Sequence, residues 1–199
     1  PYIKREDTEF DIYRYQTIYA DPTKTYSVAS PTAGLHFEKS LLESLAFKGV
    51  KLAEVTLHVG MGTFKPIKEN LIENHKMHKE VISIDQTAVE VINTTKERNG
   101  KIICVGTTSL RCLEAVCRQN NGQLVPFEGE TDLFIYPGFK FQIVDSLITN
   151  FHLPRSTLLV LVSAFAGHKR IMSAYKYAIE ENYRFYSYGD AMFINRKPN

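Results

Sequence analysis

The sequence has no apolar run approaching the ~20 residues a helix needs to cross a bilayer, which excludes a transmembrane helix. It shows no signal-peptide pattern. Its three cysteines, Cys104, Cys112 and Cys117, are odd in number and form no CxxC pair. A zinc ribbon and a disulfide framework are therefore not expected, and reduced structural thiols are. GxxxxGK[ST], HExxH and GxSxG are all missing, which argues against a P-loop, a zincin and an α/β-hydrolase elbow. Charge imbalance is missing too. A net charge of +2 does not demand a polyanionic partner, although a balanced total leaves room for a local basic patch.

What is present is ordinary globular material: 199 residues, 44% hydrophobic and 23% charged. No repeat and no linker divides it, so one α/β domain over residues 1–199 is expected. The organising stretch is Thr149-Asn150-Phe151-His152-Leu153-Pro154-Arg155-Ser156-Thr157, between the apolar segments Phe141 to Ile148 and Leu158 to Phe165. Pro154 stiffens the turn and Ser156 stands as a helix N-cap. Asn150 and His152 then lie at the mouth of a core beside a helix start, a place suited to an anionic or polar ligand.

Along the chain, Pro1 to Tyr19 interleaves tyrosines with Lys4, Arg5 and Arg14. Strands are expected at Ser27 to Ala29, Lys51 to Val59, Val81 to Ile84, Ile102 to Val105, Asp132 to Tyr136 and Ala191 to Ile194. Helices are expected around Leu41 to Leu45, over Gln86 to Arg98 capped by Asp85, and from about Leu110 to Arg118. Two more follow, from Ser156 to Gly167 and from about Arg170 to Asn182. Residues 119–130 read as a polar loop. The β-loop-α-β order favours right-handed crossovers, hence a three-layer α/β/α sandwich around a mostly parallel sheet.

Loops at the carboxyl ends of parallel strands gather at one edge of a sheet. Three polar loops fall there: Pro31 to His36, Gly106 to Ser109, and Asn150 to Ser156. In the second, Gly106 admits a close backbone approach. Thr107, Thr108 and Ser109 add hydroxyls and free N–H groups that suit a carboxylate or phosphate; ordinary capping is the bland alternative. His75-x-x-His78 with Glu80 resembles half a metal site, and hydrogen-bonding histidines are the stronger expectation. His36 and His58 lie by glycine-containing turns. Arg184 and Asp190 read either as an ion pair anchoring the tail or as site residues.

Taken together, eight motifs run in order: Tyr15-Gln16-Thr17-Ile18-Tyr19, Pro31 to Phe37, Thr56 to Phe64, His75-x-Met77-His78-x-Glu80, Val105-Gly106-Thr107-Thr108-Ser109-x-Arg111, Phe134 to Gly138, Thr149 to Leu158, and Tyr183 to Met192. This pattern closely resembles the S-adenosylmethionine:tRNA ribosyltransferase-isomerase family of queuosine biosynthesis, over nearly the whole chain. Tyr26 stands where that family usually carries Gly, and Ser30 where it carries Ala. Family members are longer. The resemblance therefore implies a C-terminal portion, without an N-terminal piece of the α/β domain and without the β-barrel domain.

The resemblance also implies the chemistry. The ribosyl group of S-adenosylmethionine (AdoMet) moves to an aminomethyl-deazaguanine base at the tRNA wobble position and isomerises, giving epoxyqueuosine with loss of adenine and methionine. A base must take a C5′ proton, an acid or hydrogen-bond donor must assist adenine, and the substrate amine must be neutral. Histidines suit these tasks. The expected catalytic residues are His36, His58, His152 and Asp190. AdoMet is expected on Thr107, Thr108, Ser109 and Asn150, and the tRNA base on His75, His78, Arg184 and Tyr188. AdoMet acts as ribosyl donor and no metal is expected. The partner is tRNA, in the cytoplasm, with the protein as a monomer away from membranes. The rivals are a metal-dependent hydrolase built on His75, His78 and Glu80, and a non-catalytic tRNA-binding fragment.

Overall fold

The computed structural model describes residues 6, 8–24, 26–60, 66–69 and 71–198. Gly62 to Phe64 of one motif, and Tyr2, Lys4 and Arg5 of the entry segment, lie outside them. In chain order the described elements are α1 (Glu9–Arg14), a 3-10 turn (Thr32–His36), α2 (Lys39–Phe47), β1 (Thr56–His58), a 3-10 turn (Ile72–Asn74), β2 (Glu80–Ile84) and α3 (Gln86–Glu97). Then come β3 (Ile103–Val105), α4 (Thr107–Gln119), β4 (Phe127–Thr131), β5 (Ser146–Asn150), α5 (Thr157–Ala166), α6 (His168–Glu180) and β6 (Ala191–Asn195).

The mixed α/β expectation holds. The mostly parallel sheet does not, since the described strands pair mostly antiparallel. The described strands form two three-stranded sheets, β1-β2-β4 and β3-β5-β6. The β1–β2, β2–β4 and β5–β6 pairings are antiparallel, and β3–β5 alone is parallel. Ser27 to Ala29 is not a strand. Asp132 to Tyr136 has strand-like alternation but pairs with no strand among the described residues. Its Leu133 carbonyl accepts instead from Arg111 Nε, at 3.2 Å. The strand that completes the first sheet is β4, inside a stretch that reads as polar loop.

Helix α4 packs against β1, β3, β4 and β5, so it joins the two sheets. Its residues Leu110 to Cys117 are all buried, which puts two charges inside. Arg111 forms a buried ion pair with Glu80 of β2. Glu114 accepts the N–H groups of Gln142, Ile143 and Val144, at 2.8, 3.2 and 3.0 Å. Burial pushes the Glu114 carboxyl up and those three N–H groups pull it back down. One charge thus clamps α4 to the first sheet. The other fixes the chain entering β5, whose side chains are almost all buried.

Candidate active site

The three polar loops meet. A cavity of about 110 Å³ is lined by Thr32 from the first, Gly106 to Thr108 from the second, and Asn150 to Leu153 from the third. Tyr186 and Ser187 of the tail close one side. None of its described lining residues is Asp, Glu, Lys or Arg. Recognition here rests on dipoles, backbone N–H groups and a histidine.

The third loop is held from behind. Ser156 caps α5 by accepting the Leu159 N–H at 3.1 Å, and donates to the Leu153 carbonyl at 2.7 Å. The His152 N–H donates to the Tyr175 hydroxyl of α6 at 2.7 Å. The Phe151 ring packs on Phe185 and Tyr175, at 4.8 and 5.2 Å between centroids. The His152 ring is half-buried and densely surrounded, and burial pushes its pKa down to about 4. The imidazole is therefore neutral at physiological pH. Its Nε2 lies 2.9 Å from the Thr149 hydroxyl, which can give or take that hydrogen bond.

The first loop joins the tail through the Gly189 carbonyl, which accepts from His36 Nε2 at 3.1 Å and Asn150 Nδ2 at 3.2 Å. A carbonyl only accepts, so His36 carries its proton on Nε2 and a neutral ring leaves Nδ1 as the basic nitrogen. The Thr32 hydroxyl donates to Asn150 Oδ1 at 2.9 Å and so fixes the amide orientation. Gly189 admits no other residue, because a Cβ there would sit 2.5 Å from the Arg184 carbonyl oxygen. Asp190 closes the same loop, accepting the Arg184 N–H at 2.7 Å and the Arg184 guanidinium at 3.2 Å. The Arg184 N–H chiefly holds the Asp190 carboxyl below its usual range, and the Arg184 guanidinium adds to it.

The second loop presents the first turn of α4. Gly106 takes a left-handed φ of +89°, and its N–H donates to the Ile148 carbonyl at 2.8 Å, continuing the β3–β5 ladder into the helix. The first N–H groups of α4 have no partner within the helix. Thr107, 6% exposed, lines the cavity with its hydroxyl free of protein partners. The Ser109 hydroxyl is spent on the Val105 carbonyl, at 2.9 Å, and Ser109 does not line this cavity.

His36, His152, Asn150, Thr107 and Thr108 are thus gathered, with Asp190 one residue beyond the Gly189 carbonyl. Other predicted site residues lie elsewhere. Just after β1, Val59 lines the cavity, and alternation along the extended chain turns His58 away from it, against the Tyr26 ring at 5.7 Å. Tyr26, at the position where Gly is usual, thereby meets His58 edge-on, and Ser30 donates to Gln16 Oε1 at 2.8 Å. His75 and His78 are not on a helix. His75 Nδ1 sits 3.1 Å from Glu69 Oε2, with its ring on Phe134, and His78 is exposed. Tyr188 packs on Tyr15 and reaches Asp11 at 3.4 Å, while the Arg184 side chain is largely exposed. No group of three potential metal ligands occurs among the described residues. Glu80 is engaged by Arg111 and by the Gly60 N–H at 3.3 Å, which removes the carboxylate the hydrolase reading needs.

Sequence reading missed Thr32, Thr149, Tyr186 and Gly189. Each lies inside a motif, yet nothing in a motif says which residue's backbone or hydroxyl anchors another's side chain.

A family model described as queuosine biosynthesis protein matches residues 1–194. The S-adenosylmethionine:tRNA ribosyltransferase-isomerase of Francisella tularensis subsp. novicida is 57% identical over 194 residues, covering 98% of this chain and 56% of that protein. The enzyme of the same name from Francisella philomiragia is 56% identical over 194 residues. The crystal structure of S-adenosylmethionine tRNA ribosyltransferase from Thermotoga maritima aligns with a TM-score of 0.65 at 46% identity, over 81% of this chain and 51% of that one. The chain spans about half the length of the relatives it matches. The motif resemblance, the match over residues 1–194 and the shared fold agree: the chain belongs to the queuosine biosynthesis protein family.

Proposed function

We propose that this chain binds AdoMet in the cavity between the three loops and handles protons in a ribosyl transfer and isomerisation onto tRNA. The acceptor is the aminomethyl-deazaguanine at the wobble position, and adenine and methionine leave. In this reading residues 1–199 act as one domain, as a monomer in the cytoplasm, and no metal is required. The observation that carries it is the convergence of Asn150, His152 and the first turn of α4 on one uncharged cavity, with His36 tied to Asn150 through the Gly189 carbonyl.

The chemistry fits that cavity in four places. The sulfonium acidifies the C5′ protons, so a modest base suffices to remove one. His36 supplies it through Nδ1, because the Gly189 carbonyl fixes its tautomer. The methionine carboxylate sits on the N–H groups and hydroxyls of Thr107 and Thr108, where the helix dipole favours negative charge. His152, neutral at working pH, hydrogen-bonds the departing adenine without placing a second cation beside the sulfonium. Asp190, held ionised by Arg184, holds the substrate amine. An uncharged cavity strengthens each of these contacts.

Adenine release from AdoMet with substrate tRNA tests this. His36→Ala is expected to lose about 10²-fold or more, the range of a general base. Asn150→Ala is expected to lose rate by freeing the Gly189 carbonyl. His58→Ala is expected to retain more rate than either. Wild-type rates for His36→Ala and Asn150→Ala overturn the assignment, and tRNA binding without adenine release favours the non-catalytic reading.

A further inference from the structure

A second cavity of about 80 Å³ adjoins the first. Tyr19, Val55, Leu57, Val59, Val105 and Thr108 are among its walls. Pro31, Val59 and Thr108 line both cavities, so a ligand in one is a side chain's width from the other. The lining is aliphatic and aromatic, and no charged residue occurs among its described members. Ser109 contributes little polarity, since its hydroxyl is turned to the Val105 carbonyl.

Tyr19 is locked in place. Its hydroxyl packs so closely on Gly34 that a Cβ there would come within 1.9 Å of the phenol oxygen. Burial pushes its pKa up to about 12, so it remains a neutral phenol. A neutral aromatic wall is attractive to a cation carried on a small apolar group.

Size narrows the occupant. A cavity of about 150 Å³ holds benzene, with its six carbons. On that scale the smaller cavity takes about three non-hydrogen atoms and the larger about four, so neither encloses a whole nucleoside. A CH₃–S–CH₂ unit has three and matches the smaller one. The shared wall at Thr108 also belongs to the turn of α4 where the methionine carboxylate sits in the reading above. An aliphatic arm running from that turn has this cavity beside it.

We propose that the smaller cavity takes the S-methyl end of the methionine arm of AdoMet, with Tyr19 as the aromatic wall beside the sulfonium. The inference rests on the larger cavity being the AdoMet site and specifies how the arm is selected. Apolar walls around the methyl group and an aromatic wall near the charge favour the sulfonium over the neutral thioether that lacks the methyl.

Calorimetric titration of the 199-residue chain with AdoMet, adenosine and S-adenosylhomocysteine tests it. Leu57→Phe fills the smaller cavity. It is expected to weaken AdoMet at least tenfold and to leave adenosine within twofold. Tyr19→Leu is expected to reduce the preference for AdoMet over S-adenosylhomocysteine, and Tyr19→Phe to keep it. Unchanged AdoMet binding in Leu57→Phe, or an equal loss for adenosine, overturns the proposal. So does an unaltered preference in Tyr19→Leu. If circular dichroism shows Leu57→Phe unfolded, the smaller filling change Val55→Leu is read by the same criteria. A wild-type chain that binds none of the three overturns the AdoMet reading itself, and this inference with it.

Discussion

The first and second turns of α4 make opposite use of their polar groups. In the first turn Thr107 and Thr108 line a cavity, and their hydroxyls have no protein partner among the described residues. One turn on, Arg111 is committed to Glu80 and the Leu133 carbonyl, and Glu114 to three backbone N–H groups. The second turn is buried throughout, whereas Thr108 and Ser109 of the first are half-buried. Where polar groups are engaged inside the protein they hold the fold, although Arg111 Nη2 is left without a partner, and where they line the cavity they are open to a ligand. The same helix therefore anchors two sheets and offers one of them a binding edge.

The contrast is broken most forcefully at Arg111. Arg111→Met leaves Glu80 buried without its cation, which costs about 3–5 kcal/mol. Urea unfolding measures this, and a loss below about 1 kcal/mol contradicts the clamp. A smaller effect is expected from His152. Its folded pKa of about 4 lies below the ordinary 6.5, so the unfolded chain takes up a proton first as pH falls. Stability is fully present above pH 6.5 and is lost as pH drops toward 4, with a slope of at most about 1.4 kcal/mol per pH unit. The open cavity admits water and lowers that slope. Unfolding at several pH values, compared with His152→Gln, reads it; identical profiles for the two proteins contradict the assignment. The smallest stability change belongs to Thr107→Val, under about 0.5 kcal/mol, because no internal hydrogen bond is lost. Its AdoMet affinity falls about tenfold, the loss of one hydrogen bond to a charged group. A Thr107→Val protein that melts early but binds normally would reverse the contrast.

Legibility in the sequence followed the range of the interactions. Asp85 caps α3 by accepting the Ala88 N–H at 2.7 Å, and Gly167 ends α5 with a φ of +92°. Both are local chemistry, and both were readable. Strand β4 was not, because Phe127-Glu128-Gly129-Glu130-Thr131 has strand formers only at its two ends and pairs through its backbone to β2. Asp132 to Tyr136 had the better pattern and no partner to bond. The parallel expectation failed for a related reason: β4 and β6 return as antiparallel edges, which no crossover rule foresees. In the site, loop convergence was readable from the strand-to-helix order. His58 does not line the cavity and its neighbour Val59 does, a difference of a single residue that the motif does not reveal. The Gly189 carbonyl was invisible because its partners, His36 and Asn150, lie 153 and 39 residues away.

The most direct test is a backbone and side-chain amide NMR titration of the chain with AdoMet. The account predicts that the amide signals of Thr107 and Thr108 and the Asn150 side chain move together, saturably, while those of His58, His75 and His78 stay still. Movement at His58, His75 and His78 with none at the start of α4 would contradict it.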